Sequence, residues 1–343
     1  MRCPLGSSRT PRPFSGLLLA FRQSDRDQER AIAHPVLIAT ELQNLLDSSQ
    51  LTGLDITWIA SSDPTPKGDW VAIVPLLSRW IGGTEFKNLP KLRIVANVAV
   101  GYNNVDVVAA EMRGVLVTNT PDVLTDATAD LTWALILATA RRLVEGIDLV
   151  RSGRWSGWHP ELLLGMELRG RTLGILGAGR IGQAVGHRAR TFGVGLVYAS
   201  RTPKPEFEQA TGATRVDITR LLAESDIVTL HLPASPETKG IINADSLRRM
   251  KSGAILVNTS RGDLIREEAL AVALEEGRLG GAGLDVYSDE PSIHPRLLAA
   301  PRTVLLPHIG SATEQTRRKM ASIALANVQA VLRGKSPLTP VYG

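Results

Sequence analysis

Leu173-Gly-Ile-Leu-Gly177-Ala-Gly179-Arg-Ile-Gly182 decides the fold of this chain. An apolar strand runs straight into a G-x-G-x-x-G turn, and an amphipathic stretch reaching about Phe192 follows it. Each glycine has a physical reason. Gly177 permits the tight turn, Gly179 lets a pyrophosphate approach the backbone, and Gly182 lets the helix lie close on the strand. The N-terminus of that helix offers unpaired N–H groups to a phosphate. Arg180 and Ile181 fill the variable positions and join the glycines as candidate cofactor contacts. A lone G-x-G-x-x-G carries little weight. Here a second apolar strand, ending at Ser200, completes a strand–helix–strand unit that binds a dinucleotide.

The tip of that second strand bears on which nicotinamide cofactor is preferred. An NAD site usually places Asp or Glu there to hold the ribose 2′-hydroxyl. This tip reads Ala199-Ser200-Arg201-Thr202-Pro203-Lys204 and has no carboxylate. The hydroxyls of Ser200 and Thr202 and the guanidinium of Arg201 suit a 2′-phosphate, so NADPH is the expected cofactor, with NADH as a second possibility.

Further out, short apolar runs alternate with amphipathic stretches, the pattern of parallel sheets covered by helices on both faces. Five strand candidates precede the glycine loop: Val36–Ala39, Leu54–Ala60, Trp70–Leu76, Ile94–Val100 and Val115–Thr120. Six more run from Thr172–Leu176 through Leu196–Ser200, Asp226–Leu232, Ala254–Thr259 and Ala282–Val286 to Thr303–Leu306. One long helix is expected from about Ala127 to Arg151, and another from about Ser311 to Arg333, before Gly334 and Pro337. The fold class is therefore α/β, with two doubly wound parallel-sheet domains. Spacing alone leaves open whether the last helix returns to the first domain.

Three strands of the second group end on reactive side chains: Asn258-Thr-Ser-Arg261, Asp289-Glu290-Pro291 and Pro307-His308-Ile-Gly. In an open α/β sheet the carboxyl ends of the strands form the ligand crevice, so a cation, a carboxylate and an imidazole should meet beside the nicotinamide. Arg261 can grip a substrate carboxylate and polarise a carbonyl with its planar fork. His308 can give a proton to an alkoxide at neutral pH. Glu290 can hydrogen-bond the imidazole and favour its charged form. Singly, each has an ordinary structural explanation as a salt bridge, a cap or a core histidine; together they form a reductase's acid machinery.

Composition narrows the alternatives. With 343 residues, 43% hydrophobic and 21% charged, the chain can bury a core in each of two domains. Its net charge of +5 includes +3 from residues 1–34, where six arginines face Asp25, Asp27 and Glu29. The body is nearly balanced and has no basic stripe with interleaved aromatics, which argues against nucleic acid. No apolar run is long enough to span a bilayer. Cys3 is the only cysteine, which points to a reducing, cytoplasmic compartment and away from disulfides or thiolate metal sites. No His/Cys cluster has metal-ligand spacing, so no metal is expected, and His159, His187 and His294 read as surface or packing residues. Met1–Ser24 lacks acids and carries the short apolar patch Leu17–Phe21. An unstructured extension over residues 1–34 fits better than a transit peptide. Asn258-Thr-Ser matches a glycosylation acceptor by chance, since it ends an apolar strand.

GAGRIG, NTSRG, the DEP ending and PHIGSAT together resemble the D-isomer-specific 2-hydroxyacid dehydrogenases, from about Val36 to the C-terminus. Asn97–Asp106, Pro121–Asp130 and Trp155-Ser-Gly-Trp158-His-Pro160 are similar to the glyoxylate/hydroxypyruvate reductase branch. The resemblance implies a Rossmann nucleotide-binding domain, residues 128–310, inserted in a flavodoxin-like substrate domain made of 35–127 and 311–343. It implies that N–H groups of Val100 and Gly101 hold the substrate carboxylate, with Leu77 and Ser78 lining the pocket. Thr128, Thr259, Asp285, Gly310 and the turn His231-Leu232-Pro233 would lie near the cofactor. It also implies a homodimer in which Trp158 closes the neighbouring subunit's site. The expected reaction is NAD(P)H-dependent reduction of glyoxylate and hydroxypyruvate to glycolate and D-glycerate. A 2-ketogluconate-type reductase shares the triad and the arginine tip, while a non-enzymatic dinucleotide-sensing scaffold shares the fold. Only 35 residues follow His308, which leaves out the regulatory domain common in phosphoglycerate dehydrogenases. Formate dehydrogenases need no such His–Glu pair and usually run on NAD.

Overall fold

Among residues 33–342, which the computed structural model describes, the backbone forms two all-parallel sheets. The first contains β1 (His34–Ala39), β2 (Leu54–Ile59), β3 (Ala72–Val74), β4 (Ile94–Ala96) and β5 (Leu116–Thr118) in the order β2-β1-β3-β4-β5. This is the flavodoxin-like winding. Val36–Ala39 of β1 and all of β3 and β4 are continuously apolar and buried because both faces are covered, whereas the edge strand β2 alternates, with Asp55 and Thr57 exposed. Val36, Ile38 and Ile94 pack on one side against Met320, Leu325 and Val328 of the helix Glu314–Leu332. Leu37, Ile73 and Val95 pack on the other, against Phe86 and Leu89. The C-terminal helix therefore returns to the first sheet, the point that spacing left open.

The second sheet contains β6 (Thr172–Leu176), β7 (Gly195–Ala199), β8 (Thr214–Arg215), β9 (Ile227–Leu230), β10 (Ile255–Asn258), β11 (Gly281–Leu284) and β12 (Thr303–Leu305). Its order is β12-β11-β10-β9-β6-β7-β8. The winding reverses between β6 and β9, and the crevice at such a switch point is where dinucleotides bind. The helix Thr125–Ala140 covers one face through Ala129, Trp133 and Ile136, which lie in one core with Leu173, Ile175 and Val257.

The expected single helix over Ala127–Arg151 is two helices, Thr125–Ala140 and Leu143–Arg151. The chain breaks at Arg142, which takes a left-handed φ of 54° and grips Glu145 through Nε at 2.9 Å and Nη2 at 2.6 Å. The short strand β8 was missed because Thr214 and Arg215 are both exposed and give no apolar signal. Trp70–Leu76, Ile94–Val100 and Val115–Thr120 shrink to three paired residues each, and their remaining carboxyl-terminal residues become site loops. His34, which the sequence reading places within the N-terminal extension of residues 1–34, is instead the first residue of β1, paired with Leu54. The rest of that segment, with Cys3 and Leu17–Phe21, lies outside the described residues. Asn258, the asparagine of the glycosylation match, is fully buried. No helix of the described residues is long and apolar enough to cross a membrane.

Candidate active site

β10, β11 and β12 are neighbours in the sheet, with Asn258 opposite Leu284 and Leu284 opposite Leu305. The segments leaving their carboxyl ends bring Arg261, Glu290 and His308 together. His308 Nδ1 lies 2.7 Å from Glu290 Oε2, and each side chain is 33% exposed. The other oxygen, Oε1, accepts the N–H of Tyr287 at 3.0 Å, so the carboxylate is fixed at both ends. Burial alone would raise the Glu290 carboxyl. The His308 hydrogen bond, the Tyr287 N–H and the nearby charges of His308 and Arg261 outweigh it and hold the group below the usual carboxylate value. With Nδ1 engaged by this carboxylate, Nε2 is left to face a substrate.

His308 sits at φ 55°, in the left-handed region. Two backbone donors just beyond it keep it there: Ile309 N–H and Gly310 N–H each donate to the Asp285 carboxylate at 2.7 Å. Burial pushes Asp285 up, opposed by those two N–H groups and by the charge of His308. Thr128 Oγ1 donates to the Gly310 carbonyl at 3.2 Å, and Thr132 Oγ1 lies 2.9 Å from Thr259 Oγ1. Thr128, Thr259, Asp285 and Gly310 thus form one knot beneath the loop that carries the imidazole.

Arg261 is presented by Asn258, whose amide donates to the Arg261 carbonyl at 2.8 Å while its oxygen accepts from Ser260 N–H and Oγ. Arg261 Nη1 in turn donates to the Ser260 carbonyl at 2.6 Å. Burial lowers the guanidinium's pKa, and Glu290 opposes that shift. The guanidinium rests on Gly101 of the first sheet: a Cβ there would stand 1.6 Å from Arg261 Nη2. Among the described residues, neither Val100 N–H nor Gly101 N–H donates a hydrogen bond, so both amides are free beside the cation. Leu77 is half-buried and Ser78 exposed in the loop after β3.

The glycine loop fits a dinucleotide. Gly177 has φ 104°, and a Cβ on it would lie 2.6 Å from the His231 carbonyl, so the turn His231–Pro233 packs directly on the loop. A Cβ on Gly182 would lie 2.1 Å from the Gly177 carbonyl. At Gly179 a Cβ would meet nothing within 4 Å, leaving the approach to the helix Arg180–Ala189 clear for a pyrophosphate. Ile181 is half-buried behind the loop, and Arg180 forms an ion pair with Asp122. His231 is a second imidazole near the cleft, with Nε2 3.0 Å from Thr229 Oγ1. Burial pushes its pKa down to about 3, so it is neutral at physiological pH and not a proton donor.

At the β7 tip, Arg201 and Thr202 are exposed and Ser200 Oγ donates to the Thr202 carbonyl. Arg215 on β8 donates to the Ser200 carbonyl at 3.0 Å and the Arg201 carbonyl at 3.0 Å. Sequence reading missed this second cation because β8 itself was invisible. It also missed Asn258 as the residue shaping the Arg261 turn, although Asn258 stands in the NTSRG motif. Trp158 is 83% exposed, and among the described residues no hydrogen bond ties it to this chain's own triad cluster. It stands near the end of an exposed apolar run that includes Leu143, Ile147, Val150, Trp155 and Leu164.

The family described as "D-isomer specific 2-hydroxyacid dehydrogenase, NAD binding domain" matches residues 133–310. A glyoxylate reductase of Thermococcus litoralis is 50% identical over 270 residues, covering 78% of this chain and 82% of that protein. Another, from Pyrococcus furiosus, is 49% identical over 274 residues, 79% of this chain and 82% of its own length. An NADPH-dependent glyoxylate/hydroxypyruvate reductase from Sinorhizobium meliloti, solved with NADP and malonate, superposes with a TM-score of 0.78 at 33% identity. That match covers 90% of this chain and 96% of that one.

Proposed function

Because this chain belongs to the D-isomer-specific 2-hydroxyacid dehydrogenase family, we propose that it is an NADPH-preferring reductase of glyoxylate and hydroxypyruvate. The products are glycolate and D-glycerate. The observation that carries the reading is the 2.7 Å His308–Glu290 pair standing beside Arg261 over two free backbone N–H groups.

A nicotinamide held in this crevice would supply the hydride to the carbonyl carbon. The Arg261 fork and the N–H groups of Val100 and Gly101 hold the substrate carboxylate, and Arg261 also draws charge onto the carbonyl oxygen. His308, oriented through its contact with Glu290, delivers the proton from Nε2 to that oxygen as negative charge develops there. Asp285 keeps the imidazole aimed by holding the two amides after it. Leu77 and Ser78 bound the space beside the substrate's small R group, which the partner subunit's Trp158 closes.

The glycine loop takes the pyrophosphate, with Arg180 and Ile181 beside it, and Thr128, Thr259, Gly310 and the His231–Pro233 turn line the rest of the cofactor crevice. Ser200, Arg201 and Thr202 receive the 2′-phosphate, and Arg215 braces their backbone. The substrate domain consists of 35–127 with 311–343, and the nucleotide domain of 128–310. The helix Leu143–Arg151 has no buried residue, and its apolar stripe continuing to Leu164 supports a homodimer formed through the nucleotide domains. In that dimer Trp158 reaches the partner subunit's cleft.

The test is a substrate panel with both cofactors, followed by loss of the reduced nicotinamide's absorbance. The proposal expects turnover of glyoxylate and hydroxypyruvate with a higher kcat/KM for NADPH. Tight cofactor binding without turnover of any small 2-keto acid would overturn the enzyme reading in favour of a dinucleotide sensor.

A further inference from the structure

Two buried asparagines stand between the loops proposed above to frame the substrate. Asn97 is fully buried at the end of β4, and Asn104 is 8% exposed at the end of the following loop. Their amides pair face to face: Asn97 Nδ2 donates to Asn104 Oδ1 at 3.2 Å, and Asn104 Nδ2 donates to Asn97 Oδ1 at 3.0 Å. Asn97 Nδ2 also donates to the Gly101 carbonyl at 3.0 Å. Asn104 Nδ2 also reaches the carbonyls of Leu76 at 3.2 Å and Arg79 at 3.1 Å.

The two ends of this pair serve different loops. Leu76 and Arg79 bracket the turn whose tip is Leu77-Ser78, and that turn is closed by Arg79 N–H donating to the Leu76 carbonyl at 3.1 Å. Gly101 lies in the loop after β4, under the Arg261 guanidinium. A desolvated polar network of this kind is stable only when every donor is matched, and here both NH2 groups are. Neither asparagine needs to touch substrate, and neither lies in the phosphate loop.

We propose that the Asn97–Asn104 pair is a positioning device that sets the spacing between the Leu77–Ser78 turn and the Val100–Gly101 amides, and so the affinity for the 2-keto acid carboxylate. This rests on the reading of Val100 and Gly101 as the carboxylate subsite. Asn104→Asp keeps the shape but replaces the Nδ2 donor with an acceptor facing two carbonyls. The turn then loses its tie, while the glycine loop and the His308–Glu290 pair are left alone.

Two measurements on the full-length protein separate the brace from the function. Hydrogen–deuterium exchange needs no activity: Asn104→Asp should speed exchange across residues 76–79 and 98–103 together, with residues 174–190 unchanged. Ligand binding reads the consequence: the affinity for oxamate, a keto-acid mimic, should fall roughly tenfold or more, and KM for glyoxylate should rise in step. NADPH affinity should stay within about twofold, and saturated kcat should change far less than KM. If Asn104→Asp does not fold, the milder Asn97→Asp carries the same tests, since it keeps the bond from Asn104 and loses the one to Gly101. Unchanged exchange in 76–79 for a folded Asn104→Asp, or unchanged exchange in 98–103 for Asn97→Asp, overturns the brace. Altered exchange with unaltered oxamate affinity overturns its role in substrate binding. A wild-type protein that binds no oxamate counts against the carboxylate subsite instead, and the exchange result then still judges the brace.

Discussion

Replacing Gly101 by alanine presses directly on the contact between the two sheets. The added Cβ would stand 1.6 Å from Arg261 Nη2 and 2.7 Å from its Cζ. To reach an ordinary contact of about 3.4 Å the nitrogen must retreat by about 1.8 Å, a shift on the scale at which misplaced groups cost roughly 10²-fold in rate. It has little room to do so smoothly, because Nη1 is held by the Ser260 carbonyl at 2.6 Å and Asn258 fixes the turn behind it. Gly101 does not occupy the left-handed region, so backbone strain contributes nothing. We expect kcat/KM for glyoxylate to fall about 10²-fold, equivalent to roughly 2.7 kcal/mol of transition-state stabilisation. NADPH affinity, measured by fluorescence, should be unchanged, since the phosphate loop is untouched. A double-mutant cycle identifies the cause. With Arg261→Lys the fork is already gone, so adding Gly101→Ala should cost little more. Activity within threefold of wild type, or strictly additive losses in the cycle, would refute the placement of Arg261 on Gly101.

Arg201→Ala should raise KM for NADPH far more than KM for NADH, and Arg215→Ala should do the same to a smaller degree; equal effects on both cofactors would remove the 2′-phosphate from this tip. Glu290 is held below its ordinary 4.5 in the folded protein, so its stabilisation is present above that pH and is lost as pH falls through the lowered folded value. Glu290→Gln should therefore lower Tm at neutral pH, with the gap to wild type closing in acid. A gap independent of pH contradicts the sign. Ile147→Glu places a charge in the exposed apolar stripe and should convert a dimer to a monomer in sedimentation; a wild-type protein that is monomeric at all concentrations contradicts the assembly proposed.

Much of the candidate site was legible in the sequence because its reactive side chains sit on strand ends, where apolar runs stop abruptly. Gly177, Gly179 and Gly182 were readable one by one, since each answers a distinct backbone demand. Arg261, Glu290 and His308 were readable as a set because consecutive strands of the second group are adjacent in a doubly wound sheet. What stayed hidden depends on partners far away in the chain. Arg215 lies on a two-residue strand with no apolar pattern, and Arg142 breaks a helix through a backbone conformation that no propensity marks. Asn97 and Asn104 look like ordinary loop polar residues until the fold puts the Leu76–Arg79 turn against them. The contact of Arg261 with Gly101 joins residues 160 positions apart, beyond the reach of any local signal.

The central claim is that His308, oriented by Glu290, donates the proton in keto-acid reduction. Turnover of glyoxylate by His308→Ala, measured beside NADPH affinity, tests it most directly. The account predicts that kcat falls by about 10² to 10⁴-fold while the dissociation constant for NADPH stays within about twofold. Turnover retained near the wild-type level, or a loss explained by failed cofactor binding, would contradict it.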